Sequence, residues 1–208
     1  AFKITYFTIS PLICLFLILS IGVSHGSLDN IKGRKLFQIF GINNFFIFYL
    51  SYILISLIII ILWVIIPSIS LVVFLIVASY HFGKEDTQFL IIENSYHNQL
   101  LFFLKGSLII LAPMYFHFDE TILIFKSLLI DNEVFFESLN LIETNKILLY
   151  GIIVSTLSNI LLFTKNFELK KFTIFFDYFS ILIINYYFSP LVAFTIYFCF
   201  LHSVRHSI

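Results

Sequence analysis

Long apolar runs separated by short polar stretches dominate the pattern of this chain. The hydrocarbon layer of a bilayer is about 30 Å thick and takes about 20 helical residues to cross. Six or seven runs reach or approach that length. The first extends from Tyr6 to Ser24, and the second from Phe45 to Ile66, where Pro67 ends it. A shorter third covers Ile69 to His81; with the second it reads alternatively as one broken hairpin. The fourth spans Leu100 to Phe116, the fifth Ile147 to Phe163 and the sixth Phe172 to Phe188. Pro190 marks a tight turn, since proline suits a first helical turn, and the seventh runs on from Leu191. Between the fourth and fifth, Asp119 to Asn145 mixes charges with Phe135, Phe136 and Leu139, as a helix lying in the membrane interface does. No repeat or low-complexity linker divides residues 1–208, which read as a single integral membrane domain. The expected fold is all-α: a polytopic transmembrane helical bundle of six to seven membrane segments plus an interfacial helix.

Composition agrees. Apolar residues make up 60% of the 208 and charged residues 12%, about half the ~25% usual in soluble domains. A soluble fold of this size cannot hide so much apolar surface in one core; lipid can solvate it. The formal net charge is zero and no basic run exceeds three residues, so nucleic acid is excluded as a partner. Cys14 and Cys199 lie inside apolar stretches and read as small buried hydrophobes. The 28 phenylalanines, with many Ile and Lys, fit the coding bias of an A+T-rich genome.

Lysine and arginine in short loops set orientation. Lys32, Arg34 and Lys35 follow the first segment, and Lys165, Lys170 and Lys171 lie between the fifth and sixth. The connection after the fourth is acidic, with Asp119, Glu120, Asp131, Glu133, Glu137 and Glu143 against Lys126. Alternating sides then starts the chain outside and puts the basic loops and the Arg205 end in the cytoplasm.

That topology groups the histidines. His25, His81, and the pair His202 and His206 fall at the cytoplasmic ends of the first, third and seventh segments. His117 falls at the opposite face, and His97 lies in a polar loop where solvation explains it. His202 and His206 are four apart, hence on one helix face, from which two imidazoles can reach one metal. Ionisable residues in membrane segments are costly and usually functional. The plainer alternative makes these histidines interfacial side chains with polar tips in the headgroups. Imidazole suits iron, zinc, copper and nickel alike. Asp29 and Asp86 follow His25 and His81 by about one turn, where a carboxylate can accept an imidazole N–H and fix the tautomer. Asp177, near the same side, is a third such candidate. The alternative role for these glycine- and aspartate-bearing stretches is simply to end their helices.

At these motifs the sequence resembles a known family. G-V-S-H-G-S-L-D (Gly22 to Asp29), S-Y-H-F-G-K-E-D (Ser79 to Asp86) and S-P-L-V-A-F-T-I-Y-F-C-F-L-H-S-V-R-H (Ser189 to His206) look like the signature blocks of the Brp/Blh family of membrane-embedded β-carotene dioxygenases of bacteria and archaea. The stretch from Lys105 to His117 resembles a looser fourth block. The resemblance implies iron ligation by His25, His81, His202 and His206, with Fe(II) as cofactor. It further implies cleavage of the central double bond of β-carotene by O2 to two retinal molecules, passed to a microbial rhodopsin, in the cell's inner (plasma) membrane. Family members usually continue past the final histidine pair, so a fragment lacking C-terminal helices is expected. A rigid hydrocarbon substrate dissolved in the bilayer asks for a tunnel between helices, and Trp63, Tyr80, Phe82, Phe194, Tyr197 and Phe198 are its candidate lining, with ordinary packing as the competing role. No general base is needed. Rival readings are a haem-binding subunit, a transporter, or a desaturase- or hydroxylase-like oxidase. The last class uses about eight histidines in H-x-x-H-H-like boxes, whereas this chain has six and no such box. A transporter is expected to show inverted repeats, and none is visible.

Overall fold

The computed structural model describes residues 9–26, 29–42, 44–91, 95–128 and 130–203, and of 22–26, 29–32 and 45 the backbone alone. It is helical throughout that range, with no strand among the described residues.

α1 (Pro11–Gly26) leads into a helix that the hydropathy pattern does not reveal, α2 (Asp29–Ile39), in what reads as a basic loop. Gly41, at φ +73°, turns the chain out of it; only glycine takes this conformation freely. α3 (Phe45–Ile65) starts on Asn44, whose side chain accepts from the Phe46 N–H as an N-cap. Its side chains are almost all exposed, including the unbroken run Ile58 to Leu62. Only hydrocarbon solvates such a surface without penalty.

Pro67 opens α4 (Pro67–Glu85) at its first turn. The third segment is therefore not the short one expected from Ile69 to His81. It has 19 residues, because Gly83, Lys84 and Glu85 continue the helix instead of ending it. The rings of Trp63 and Phe74 lie 6.3 Å apart, although eleven residues of straight helix would separate them by about 16 Å. The chain therefore folds back at Ile66, making α3 and α4 a hairpin.

α5 (Tyr96–Gly106) and α6 (Leu108–Phe116) form one apolar run, interrupted at Ser107 and carrying Pro113 inside its second part. The expected single interfacial helix is two, α7 (Phe118–Ser127) and α8 (Glu133–Thr144), separated by a break that lets Asn132 cap the second. α9 (Ile147–Thr164), a 3-10 turn at Leu169–Lys171 and α10 (Phe172–Tyr187) follow. α11 (Pro190–Ile196) begins on a first-turn proline and widens into a π-helix over Tyr197–Ser203.

Four of the described stretches are long and apolar enough to cross a membrane: Phe46–Ile65, Pro67–Glu85, Tyr96–Phe116 and Ile147–Thr164. Pro11–Ile21 and Pro190–Ser203 are apolar but shorter. The protein is membrane-associated by this measure.

Two features fix the centre of the bundle. Where α4 crosses α5, a Cβ on Gly83 would sit 1.8 Å from the Phe102 carbonyl oxygen, and one on Gly106 would sit 1.9 Å from that of Ser79. Such close backbone approach through paired glycines is how membrane helices pack tightly. One residue away, Lys105 of α5 lies 3.8 Å from Asp177 of α10, both buried. Charges in a low-dielectric interior are tolerated when paired, so this contact ties α10 to α5.

Candidate functional site

α4 and its C-cap deliver three groups to one end of the bundle within six residues: His81, Phe82 and Asp86. The last helix delivers Tyr197 and His202 to the same place. The Asp86 carboxylate accepts from His202 Nδ1 at 2.8 Å and from the Tyr197 hydroxyl at 2.6 Å. All three residues are buried. A carboxylate only accepts when ionised, so Nδ1 must carry the hydrogen, and Nε2 of a neutral ring keeps the lone pair. Asp86 thus fixes the tautomer of a histidine 116 residues away on another helix, not merely the end of its own.

The rings of His81 and His202 have centroids 5.7 Å apart. Two imidazoles bound to one ion at the ~2.0–2.1 Å distances typical of zinc have centres roughly 5–6 Å apart. Phe82 fills the space beside them, 4.8 Å from the His202 ring and edge-on to it. Along the last helix Phe194 and Phe198 stack at 5.6 Å, and Phe198 stacks on His202 at 6.0 Å. The widened π turn beneath His202 is a backbone distortion that recurs at functional sites.

α1 packs against the stretch that carries His202, and its last turn carries His25. The His25 and Asp29 side chains and all of His206 lie outside the described residues. Among the described residues no three His, Cys, Asp or Glu side chains gather around one point. Asp177 is engaged by Lys105. His117 lies elsewhere, its Nε2 2.9 Å from the Asn185 carbonyl, and His97 is exposed.

An apolar groove of about 520 Å³ starts at His81 and runs between α4, α6, α7, α10 and α11. Phe82, Phe194, Tyr197 and Phe198 line it, as does His81. Trp63 and Tyr80 do not. The Trp63 indole donates to the Leu128 carbonyl at 3.0 Å, anchoring α3 to the end of α7. Tyr80, on the other side of α4, donates to Gln99. Phe74, Val77 and His81 are exposed at the groove's edge, so the groove opens sideways, towards where lipid would lie. The sequence reading missed its far end, built by Thr121, Ile124, Phe125 and Leu128. Their spacing is an amphipathic helical stripe, legible inside the segment read only as interfacial.

The family model for Beta-carotene 15,15'-dioxygenase matches residues 16–208. The chain belongs to this family. A Beta-carotene 15,15'-dioxygenase of Uncultured marine bacterium 66A03 is 26% identical over 206 residues, covering 92% of this chain and 66% of that protein. The chain therefore spans just under two thirds of that relative's length. No solved structure matches.

For this family member the donor set described fits a metal such as iron. It offers two imidazole rings, one of them held by a carboxylate, and an apolar shell around them.

Proposed function

We propose that the protein cleaves the central double bond of β-carotene with O2, giving two molecules of retinal, at a non-haem Fe(II) held by His25, His81, His202 and His206. The observation that carries this reading is the juxtaposition of His81 and His202 at the aromatic end of an apolar groove. When bound, iron would supply the reactivity towards O2 that protein side chains lack. The bond between the two central carbons breaks, and each carbon gains one oxygen atom. Both atoms of O2 are used and no outside reductant is required.

The chain's own residues bind, orient and exclude water. A rigid polyene is almost purely apolar, so its transfer from lipid into the groove is driven by shape and dispersion contacts more than by desolvation. The flat rings of Phe82, Phe194 and Phe198 suit a conjugated chain, and the sideways opening admits it directly from the bilayer. Asp86 and Tyr197 hold His202 in the tautomer that presents Nε2. No group is assigned as a general base, because the reaction moves no proton.

By loop charge, the site belongs on the cytoplasmic side of the inner (plasma) membrane, and the retinal would go to a retinal-binding partner such as a microbial rhodopsin. The test is expression in cells that accumulate β-carotene. Loss of colour with retinal as the product supports the reading, and abolition by each of the four His→Ala changes supports the ligand set. Persistent colour in aerated cells making folded, iron-loaded protein would refute it.

A further inference from the structure

We infer that the far end of the groove, closed by Phe125 of α7 and Leu71 of α4, is a depth stop: it seats one ring of the carotenoid and thereby selects which double bond lies beside His81. The inference rests on the proposed cleavage reaction and names the residues that set its position.

Leu71 and His81 both line the groove and stand ten residues apart on α4, a separation of about 15 Å along the axis. One ring plus the half polyene up to the central bond measures roughly 13–16 Å, taking bonds of ~1.4 Å that each advance the chain by ~1.2 Å. The groove is therefore as deep, from its floor to the histidines, as half the substrate is long. Its floor is firm. Leu71 and Phe125 are 2% and 8% exposed and pack in one cluster with Met114, Phe118 and Leu148. Behind them Trp63 bonds to the carbonyl of Leu128, which pins the end of α7 in place. At the histidine end the groove meets the second packed cluster, containing Phe82, Ile109, Ile181 and Tyr197. A rod-like ligand that has entered from the side lies between these two clusters and can still slide along its own axis, and the floor stops that sliding. Interiors packed to crystal-like density resist such sliding.

Two variants and one substrate test this. Phe125→Ala deepens the groove and Ile124→Phe makes it shallower. Both stand on α7, which carries none of the proposed ligands, so iron per chain should match the unaltered protein. Each is expected to convert β-carotene into an unequal pair of aldehydes, one longer and one shorter than retinal, as a large share of product. The substrate arm needs no mutation: the unaltered protein is given a carotenoid aldehyde with a ring at one end and several carbons missing from the other. A ring-seated register yields retinal from the ringed end, at an unchanged distance from the ring. Retinal as the sole product from an iron-loaded Phe125→Ala protein, or cleavage of the shortened substrate at its own midpoint, would overturn the depth stop while leaving central cleavage intact. An iron-loaded protein that cleaves neither substrate defeats the underlying reaction and this inference with it.

Discussion

Asp86 and His202 meet at 2.8 Å in the interior, a carboxylate from the end of α4 against an imidazole from the last helix. A buried carboxylate beside an imidazole needs its remaining oxygen satisfied, and the Tyr197 hydroxyl does this at 2.6 Å. The pair fixes both the orientation of the ring and the nitrogen it presents.

Asp86→Asn keeps the shape but removes the charge that favours donation from Nδ1. Partners of this kind typically contribute 10–100-fold to metal affinity, and a loss in that range is expected for iron. Retention of iron through a graded chelator challenge measures it. Tyr197→Phe, which leaves the His202 contact in place, should lose less. Equal retention by Asp86→Asn and the unaltered protein would remove the positioning role.

The crossing of α4 and α5 tolerates no side chain at Gly83 or Gly106, because the nearest atoms are backbone oxygens that cannot swing away. Gly83→Ala or Gly106→Ala should cost at least the ~1–3 kcal/mol of ordinary overpacking. Because His81 and Asp86 flank the crossing, iron content should fall together with thermal stability in detergent. A stable, iron-loaded Gly83→Ala protein would contradict the close packing described.

Lys105 and Asp177 predict a sign as well as a size. Asp177→Asn strands a buried lysine and should destabilise by about 3–5 kcal/mol. The double change Lys105→Met with Asp177→Leu removes both charges and should recover most of that loss. Unfolding in mixed detergent micelles reads both. A double variant as weak as the single one would show that the pair does more than satisfy itself.

His117 bonds to the Asn185 carbonyl at the other end of the bundle. His117→Ala should leave iron content unchanged and lower stability by about 1 kcal/mol, the net worth of one hydrogen bond. A fall in iron matching that of His81→Ala would undo the separation of the two histidine groups.

The helical membrane character was legible because hydrophobic run length reports directly on a 30 Å apolar slab. The α3–α4 break was legible from Pro67, and the last helix from Pro190. Other features were not. α2 is polar enough to read as a loop, since its helicity does not come from an apolar face. α4 runs past His81 because Gly83 serves helix crossing and not helix ending, two roles with the same letter. His81 and His202 could be grouped by depth, but the partner of Asp86 could not be read, because a hydrogen bond between residues 86 and 202 leaves no periodic trace. Trp63 and Tyr80 were candidates for the groove on aromatic character, yet each spends its polar atom on a helix-to-helix bond. The floor of the groove was missed because α7 reads, by charge, as a surface helix.

The proposed centre has imidazoles from three separate helices sharing one ion beside the groove. Elemental analysis of the purified protein, with an absorption spectrum and the four single His→Ala variants at residues 25, 81, 202 and 206 alongside, tests it most directly. The account predicts a single iron per chain, no Soret band, and severe loss of iron in every one of the four variants. Full iron in the His25→Ala and His206→Ala proteins, or a haem spectrum in the unaltered one, would contradict it.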